Sequence, residues 1–233
     1  MFMDFSGWEK LSLVDYDDNI TTTLFMAGCP FRCPWCHNSS LVLEPGKVGH
    51  IPWSEIMDYL SKRKNVLDAV CVTGGEPTMM PDLLDKLADI KSLGYKIKMD
   101  TNGSDPVRLR VAVEQGLVDY VAMDIKNCEA RYAETVGIKN LNFAPVKESF
   151  TYLLTSPVRY EFRTTLVEEF HTKEDIEALG KMIRGAKVLY LQEFIDNENC
   201  IAHGFHTVPK EKALLYRAIL LKYVERCELR GYD

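Results

Sequence analysis

The chain has 233 residues, of which 46% are hydrophobic and 27% charged, a composition typical of one large soluble domain or two small ones. Its net charge of −6 argues against a nucleic-acid-binding face, which is normally basic. The first residues lack the basic segment and apolar run of a secretory signal, and no run approaches the roughly 18 apolar residues of a membrane span. We therefore expect a cytoplasmic protein that binds neither nucleic acid nor membrane.

Strand and helix patterns alternate from residue 21 to the end of the chain. Runs of β-branched and apolar residues predict strands, and apolar residues spaced three or four apart predict helices. In chain order these are strand 21–27, helix 52–64, strand 68–75, helix 81–94, strand 96–103, helix 105–116, strand 118–126, a helical region within 128–155, strand 160–167, helix 172–185, strand 187–194 and helix 209–227. Asp105 and Thr172 occupy positions where helix-capping side chains are expected.

The order of these elements predicts the fold class. About six strands separated by helices form the βαβ rhythm of an α/β protein with a parallel sheet. Right-handed crossovers allow such a sheet to curl towards a barrel or to stay open, and periodicity alone does not decide between the two. Because no linker or repeat interrupts the pattern, residues 1–233 are predicted to form a single domain.

Two further predictions concern burial. An apolar stripe on the last helix is expected to face the core, and its members are Leu214, Leu215, Ala218, Leu221 and Val224. Two histidines, His50 and His171, are expected at the surface.

Polar and glycine-rich residues cluster directly after the predicted strand ends. The segments are AGC (27–29), TGGEP (73–77), DTNG (100–103), DIK (124–126) and QEF (192–194). Because active sites of parallel α/β folds collect at the carboxyl ends of the strands, these segments are predicted to face one another. Asp124 and Arg163 each place a charge within an apolar strand, so each is expected to have an oppositely charged partner.

Three cysteines, Cys29, Cys33 and Cys36, lie close together, and His37 follows at once. The total of seven cysteines is odd and the other four are scattered, which does not favour a disulfide framework. The Cys-x-x-Cys-His pattern is typical of c-type haem attachment, but that process needs export and leaves Cys29 without a role. Zinc needs a fourth ligand, for which His37 or His50 is available, and simple packing of small thiols is a further alternative. A [4Fe–4S] cluster held by three thiolates keeps one iron open for a reactive ligand.

These segments resemble the radical S-adenosylmethionine (SAM) superfamily, whose C-x3-C-x2-C signature after the first strand is matched by Cys29, Cys33 and Cys36. Within it, the chain is similar to the activating enzymes of glycyl-radical enzymes, particularly those of anaerobic ribonucleoside-triphosphate reductases. The similarity covers nearly the full length. The residues that carry it are SLVDY (12–16), FMAGCPFRCPWCHN (25–38), GGEP (74–77), MDTNG (99–103) and MDIK (123–126).

The resemblance implies a partial (β/α)6 barrel with one [4Fe–4S] cluster and SAM at the carboxyl ends of the strands. An electron from a flavodoxin- or ferredoxin-type donor would cleave SAM to methionine and a 5′-deoxyadenosyl radical. That radical would remove a hydrogen atom from a glycine of a partner glycyl-radical enzyme, and anaerobic ribonucleotide reductase is the partner that the subgroup implies. The segment between Cys36 and Gly74 lacks the cysteine-rich insertion of many activating enzymes, so a single cluster is expected.

The resemblance also assigns residues to the cofactor site. Asp100, Thr101 and Asp124 match positions that bind a monovalent cation beside the SAM carboxylate in pyruvate formate-lyase activating enzyme. Lys126 matches a position that meets that carboxylate, and Trp35 is expected to shield the cluster and the adenine. The other expected cofactor contacts are Gly74, Gly75, Glu76, Pro77, Asn102, Arg163 and Gln192.

Two of these assignments also have a direct physical reason. Gly74 and Gly75 lack a Cβ atom, so the backbone can approach a ligand closely there. Glu76 can accept a charge-assisted hydrogen bond from a ligand ammonium group.

Two other functions remain open at this point. The first is radical SAM chemistry on a small molecule, as in the similarly short 7-carboxy-7-deazaguanine synthases, although those typically have Trp-Cys-Asp-Thr where this chain has Trp-Cys-His-Asn at 35–38. The second is a non-enzymatic zinc or iron–sulfur module.

Overall fold

One sheet of eight strands organises the part of the chain that the structure, a computed structural model, describes, namely residues 5–232. The strands are β1 Phe5–Ser12, β2 Thr21–Met26, β3 Ala69–Gly74, β4 Lys96–Thr101, β5 Tyr120–Asp124, β6 Arg159–Leu166, β7 Leu189–Glu193 and β8 Cys227–Arg230. They lie side by side in chain order. β1 is antiparallel to β2, and every later neighbouring pair is parallel. The predicted α/β class with a parallel sheet is therefore confirmed.

Helices make the crossovers that parallel strands require. They are α1 Ser39–Leu43, α2 Trp53–Lys62, α3 Leu83–Ser92, α4 Pro106–Glu114, α5 Glu129–Thr135, α6 Ala144–Thr155, α7 Lys173–Met182 and α8 Lys210–Leu220, with a 3₁₀ turn at Pro77–Met79. The predicted caps are confirmed, because the Asp105 side chain accepts a hydrogen bond from the Arg108 backbone N–H, and Thr172 forms a reciprocal capping box with Asp175. None of the helices within residues 5–232 is long and apolar enough to span a bilayer.

The central strands are largely buried. β3 and β5 are mostly apolar, whereas β4 (KIKMDT) and β6 (RYEFRTTL) alternate apolar with charged or polar residues. Helices cover the outside of the sheet, and charged side chains point to the inside from β4, β5 and β6. Arg163 on β6 reaches Asp100 on β4 across one intervening strand, because the sheet curls. β1 and β8 form the two edges, so the described strands make a partial barrel rather than a closed one.

The last predicted helix, 209–227, is wrong beyond Leu220. The chain turns there, and Cys227–Arg230 forms β8 along the free edge of β7. The residues after Leu220 keep a helical spacing of apolar side chains, but the unpaired edge of β7 offers backbone hydrogen bonds that only an extended segment can make. β1 at the opposite edge was not predicted either.

The predicted apolar stripe on α8 is also wrong. Leu214, Leu215 and Leu221 are 46%, 65% and 42% exposed, and Ala218 is exposed as well. The helix instead buries Ala213, Tyr216 and Leu220, a set at intervals of three and four residues that is rotated by one position from the predicted stripe. Of the predicted members, Val224 is buried, but it lies past the end of the helix.

His171 is fully buried, so the prediction of a surface position is wrong, whereas His50 is exposed as predicted. The backbone N–H of Val167 donates to Nδ1 of His171 at 3.1 Å, and Nε2 lies 3.0 Å from the Lys126 carbonyl oxygen. These contacts suit a neutral ring protonated at Nε2, and burial lowers the pKa of His171. The histidine therefore fixes the backbone at the end of β5.

Candidate active site

A cavity of about 330 Å³ opens at the carboxyl ends of the strands. It brings together the predicted site residues Cys29, Cys33, Trp35, Cys36, Gly74, Gly75, Asp100, Thr101, Asn102, Asp124, Lys126, Arg163 and Gln192. Glu76 and Pro77 are buried and do not line it. Residues that sequence reasoning did not assign to the cavity are Phe31, His37, Asn38, Val42, Thr73, Thr165 and Glu193. Thr73 lies two positions before Gly75, and Thr165 lies two positions after Arg163. Side chains two residues apart point to the same face of a strand, so this spacing could have identified both threonines as cavity residues.

The three thiols lie on the loop between β2 and α1, which backbone hydrogen bonds hold in place. Gly28 N donates to Leu41 O at 2.8 Å, and Cys36 N donates to Cys33 O at 3.0 Å. Burial raises the pKa of Cys29 and of Cys33 to about 12. Ionised thiolates in this place therefore require a bound group that brings its own positive charge.

The donor set of this loop fits an iron–sulfur cluster better than a single ion. Within residues 5–232, no three His, Cys, Asp or Glu side chains converge closely enough to hold one metal ion. Thiolates that hold separate corners of a four-iron cluster need not converge on one point. Trp35 adds a second observation, because its buried Nε1–H has no acceptor among the described residues and its ring lines the cavity. A bound group can supply that acceptor.

A segment that the sequence did not reveal covers this loop. We call residues 195–204, which follow β7, the cluster-loop strap. His37 Nε2 lies 2.8 Å from the Ile195 carbonyl oxygen. Ile201 N donates to Cys36 O at 3.2 Å. The strap therefore holds the cysteine loop at both His37 and Cys36.

The glycine pair after β3 allows two backbones to meet. A Cβ atom on Gly75 would lie 1.9 Å from the Gly28 carbonyl oxygen, and one on Gly74 would lie 2.5 Å from Met26 N. Gly74 also has a φ of 105°, which favours glycine. These residues are thus required for the contact between β3 and the start of the cysteine loop, whether or not a ligand also touches them.

Glu76 is fully buried, and its carboxylate joins the ends of β3 and β4. It accepts hydrogen bonds from the hydroxyls of Thr78 at 2.6 Å and Thr101 at 2.7 Å, and from Asn102 N at 2.6 Å. Burial raises the pKa of Glu76, and these donors oppose that shift. Direct contact of Glu76 with a ligand ammonium stays a prediction, as does the role of Pro77, which begins the 3₁₀ turn.

Charged side chains on β4, β5 and β6 form a network in the floor of the cavity. Arg163 donates to Asp100 Oδ2 at 3.0 Å through Nη1 and to Asp124 Oδ1 at 2.9 Å through Nε. Lys126 Nζ lies 3.0 Å from Asp124 Oδ2, and Lys98 Nζ lies 3.3 Å from Asp100 Oδ1. The predicted need of Asp124 and Arg163 for oppositely charged partners is confirmed.

This network shifts the pKa of Asp124 strongly. Burial pushes the value up, but the charges of Arg163 and Lys126 outweigh burial and lower the pKa from 3.8 to about 2. For Asp100 the same opposition, with Arg163 and Lys98 as the cations, also leaves the pKa below its ordinary value.

The low pKa of Asp124 predicts a pH-dependent contribution to stability. A carboxyl group whose pKa is lowered on folding stabilises the protein above about pH 4, and the contribution is lost as the pH falls towards 2. From the size of the shift, we expect the difference in unfolding free energy between wild type and Asp124→Asn to shrink by about 2 kcal/mol between pH 5 and pH 2. Urea unfolding of the metal-free proteins at pH 5 and pH 2 measures this difference in free energy. Glu44→Gln, which removes an exposed ion pair with Lys47, is the control whose difference should stay nearly constant, and a constant difference for Asp124→Asn would contradict the prediction.

Comparison with known proteins agrees with this geometry. A protein of Methanocaldococcus jannaschii that carries the provisional name glycyl-radical enzyme activating enzyme is 29% identical over 235 residues, which cover 97% of this chain and 95% of that one. The 7-carboxy-7-deazaguanine synthase of Thermoplasma acidophilum is 25% identical over 142 residues, or 61% of this chain and 64% of that one. Streptococcus suis SuiB shares the fold over 88% of this chain, with a TM-score of 0.68 and 12% identity, and the chain spans 47% of SuiB.

The family assignment follows from a further match, to a protein family. Residues 23–183 match the Radical SAM superfamily, which is well over half of the chain and includes the cysteine loop together with the ends of β2 to β6. The family implies a [4Fe–4S] cluster and SAM, which the donor set of the cavity fits. The chain is therefore an enzyme that belongs to the radical SAM superfamily.

Proposed function

We propose that this enzyme is an activase that installs a glycyl radical on a partner protein. The observation that carries the proposal is the match to the M. jannaschii protein, which extends over 97% of this chain and includes regions on both sides of the cysteine loop. The match to a 7-carboxy-7-deazaguanine synthase covers a smaller share, 61% of the chain. The likeness therefore favours a protein substrate over a small molecule.

When bound, a reduced [4Fe–4S] cluster supplies the electron that cleaves SAM and yields a 5′-deoxyadenosyl radical. Cys29, Cys33 and Cys36 would hold three of its irons, and the chain offers no fourth thiol to the cavity among the described residues. Lys126, whose Nζ lies 5.1 Å from the centre of the Trp35 ring, would orient the SAM carboxylate. Trp35 would cover the cluster and exclude water from the reacting atoms.

The partner and the electron donor are finer parts of the same proposal. Anaerobic ribonucleotide reductase is the partner that the sequence resemblance favours, and a flavodoxin- or ferredoxin-type protein would deliver the electron in the cytoplasm. The cavity opens at the strand ends, where a loop of a second protein can approach, as hydrogen abstraction from a backbone glycine requires.

The test is activation of a candidate partner under anaerobic conditions. Cluster-loaded enzyme, a reductant, SAM and anaerobic ribonucleotide reductase are mixed, and 5′-deoxyadenosine is measured by chromatography alongside the electron paramagnetic resonance signal. We expect a glycyl-radical doublet on the partner, absent when its radical glycine is replaced by alanine or when the enzyme carries Cys29→Ala. Release of 5′-deoxyadenosine with no doublet on any glycyl-radical enzyme of the same organism would show that the substrate is not such a protein.

A further inference from the structure

The residues that match a monovalent cation site in a related activating enzyme are already occupied by partners within this chain. Both oxygens of Asp124 face a cation, with Arg163 Nε at 2.9 Å from Oδ1 and Lys126 Nζ at 3.0 Å from Oδ2. Asp100 differs, because Arg163 Nη1 donates to its Oδ2 at 3.0 Å, whereas Oδ1 has Lys98 Nζ at 3.3 Å without a hydrogen bond. A metal ion bound by Asp124 would have to displace Arg163 or Lys126.

The third expected ligand, Thr101, is also engaged. Its hydroxyl donates to Glu76 Oε1 at 2.7 Å, and its oxygen accepts from Gly103 N at 3.1 Å. A hydroxyl has one proton and two lone pairs, so a single lone pair is left for anything else.

We propose that Arg163 takes the place of the alkali-metal ion, so that this enzyme binds SAM without Na⁺ or K⁺. Asp124 lies directly opposite Arg163 in the register of β5 and β6, and the planar guanidinium is long enough to reach Asp100 on β4 as well. A guanidinium donates in two fixed directions and is always charged, so it can hold both carboxylates as a bound ion would. Lys126 then remains at the cavity wall to meet the SAM carboxylate.

The inference rests on the cofactor site of the proposed function and not on the identity of the partner. Equilibrium binding of SAM to the cluster-loaded wild-type enzyme is measured calorimetrically in potassium, sodium and choline chloride at equal ionic strength. Choline is too large to enter a metal site, so it serves as the cation-free reference. We expect dissociation constants within about twofold of one another in the three salts. Binding that is about tenfold or more tighter in potassium or sodium than in choline would overturn the proposal.

Two variants at Arg163 sharpen the test. Arg163→Gln removes the charge and should weaken SAM binding in choline, and potassium should restore part of the lost affinity in a saturable manner. Arg163→Lys keeps the charge, so its affinity for SAM should remain independent of the salt. Circular dichroism shows whether Arg163→Gln folds. If it does not, the measurements on the wild type and on Arg163→Lys still test whether SAM binding needs Na⁺ or K⁺. Salt-independent SAM binding together with no glycyl doublet on any partner would leave this inference standing and remove only the proposed substrate.

Discussion

Replacing any one of Cys29, Cys33 and Cys36 with alanine is expected to abolish binding of the four-iron cluster and all cleavage of SAM. A three-cysteine site has no spare thiolate, so two ligands leave a second iron without a protein ligand. After anaerobic reconstitution, the wild type should hold about four irons per chain and each variant a small fraction of that. Iron and sulfide analysis and the visible absorption spectrum measure the loss.

The cysteine variants should stay folded, which makes the experiment interpretable. The loop is held by main-chain hydrogen bonds, including Gly28 N to Leu41 O and Arg32 N to Val136 O, both 2.8 Å, that do not depend on the thiols. Cys128→Ala is the matched control, because Cys128 is buried like Cys33 but lies at the start of α5 and outside the cavity. A Cys36→Ala protein that still binds about four irons would contradict the assignment of the ligands.

The sequence was sufficient to predict the strands that build the barrel. All six predicted strands are present, because runs such as TTTLFM in β2 and AVCVTG in β3 are rich in β-branched and apolar residues, as largely buried strands require. Parallel pairing then brings the carboxyl ends together. For this reason residues as distant in sequence as Cys29 and Gln192 could be predicted to share one cavity, and they do.

The elements that were missed depend on contacts that a local pattern does not contain. β8 forms because the edge of β7 is free to pair with another strand. That free edge is a property of the whole sheet, so the sequence of residues 227–230 does not reveal it. The cluster-loop strap has no periodicity, and its contact with His37 joins residues 158 positions apart. His171 was misplaced for the same reason, since its two ring contacts are backbone groups of other segments.

Some predicted residues have contacts within the chain that the sequence did not reveal. The ligand contact of Glu76 stays a prediction, but its fully buried carboxylate also accepts hydrogen bonds from donors of its own chain. Arg163 was expected to need one acidic partner and has two. A sequence shows that a buried charge must be paired, but the number and direction of its partners are set by the curl of the sheet.

The second large effect is expected for Gly75→Ala, a change of one methyl group. The new Cβ atom would lie 1.9 Å from the carbonyl oxygen of Gly28 and 2.7 Å from its carbonyl carbon, far inside any permitted contact. Neither backbone can move away freely, because Gly75 N donates to Met26 O and Glu76 N donates to Gly28 O, both at 2.8 Å. The start of the cysteine loop must therefore shift away from β3.

We expect Gly75→Ala to lower the free energy of unfolding by about 3 kcal/mol, at the upper end of overpacking effects. In a chain of this size that corresponds to a fall of about 6–12 °C in the melting temperature, measured by circular dichroism on the metal-free protein. Because Gly28 precedes Cys29 directly, iron incorporation should fall as well. Gly46→Ala is the matched control, since its added Cβ would meet nothing within 4 Å, and its stability should change by less than about 0.5 kcal/mol. Equal melting temperatures for the two variants would mean that the contact between Gly75 and Gly28 does not hold β3 against the cysteine loop.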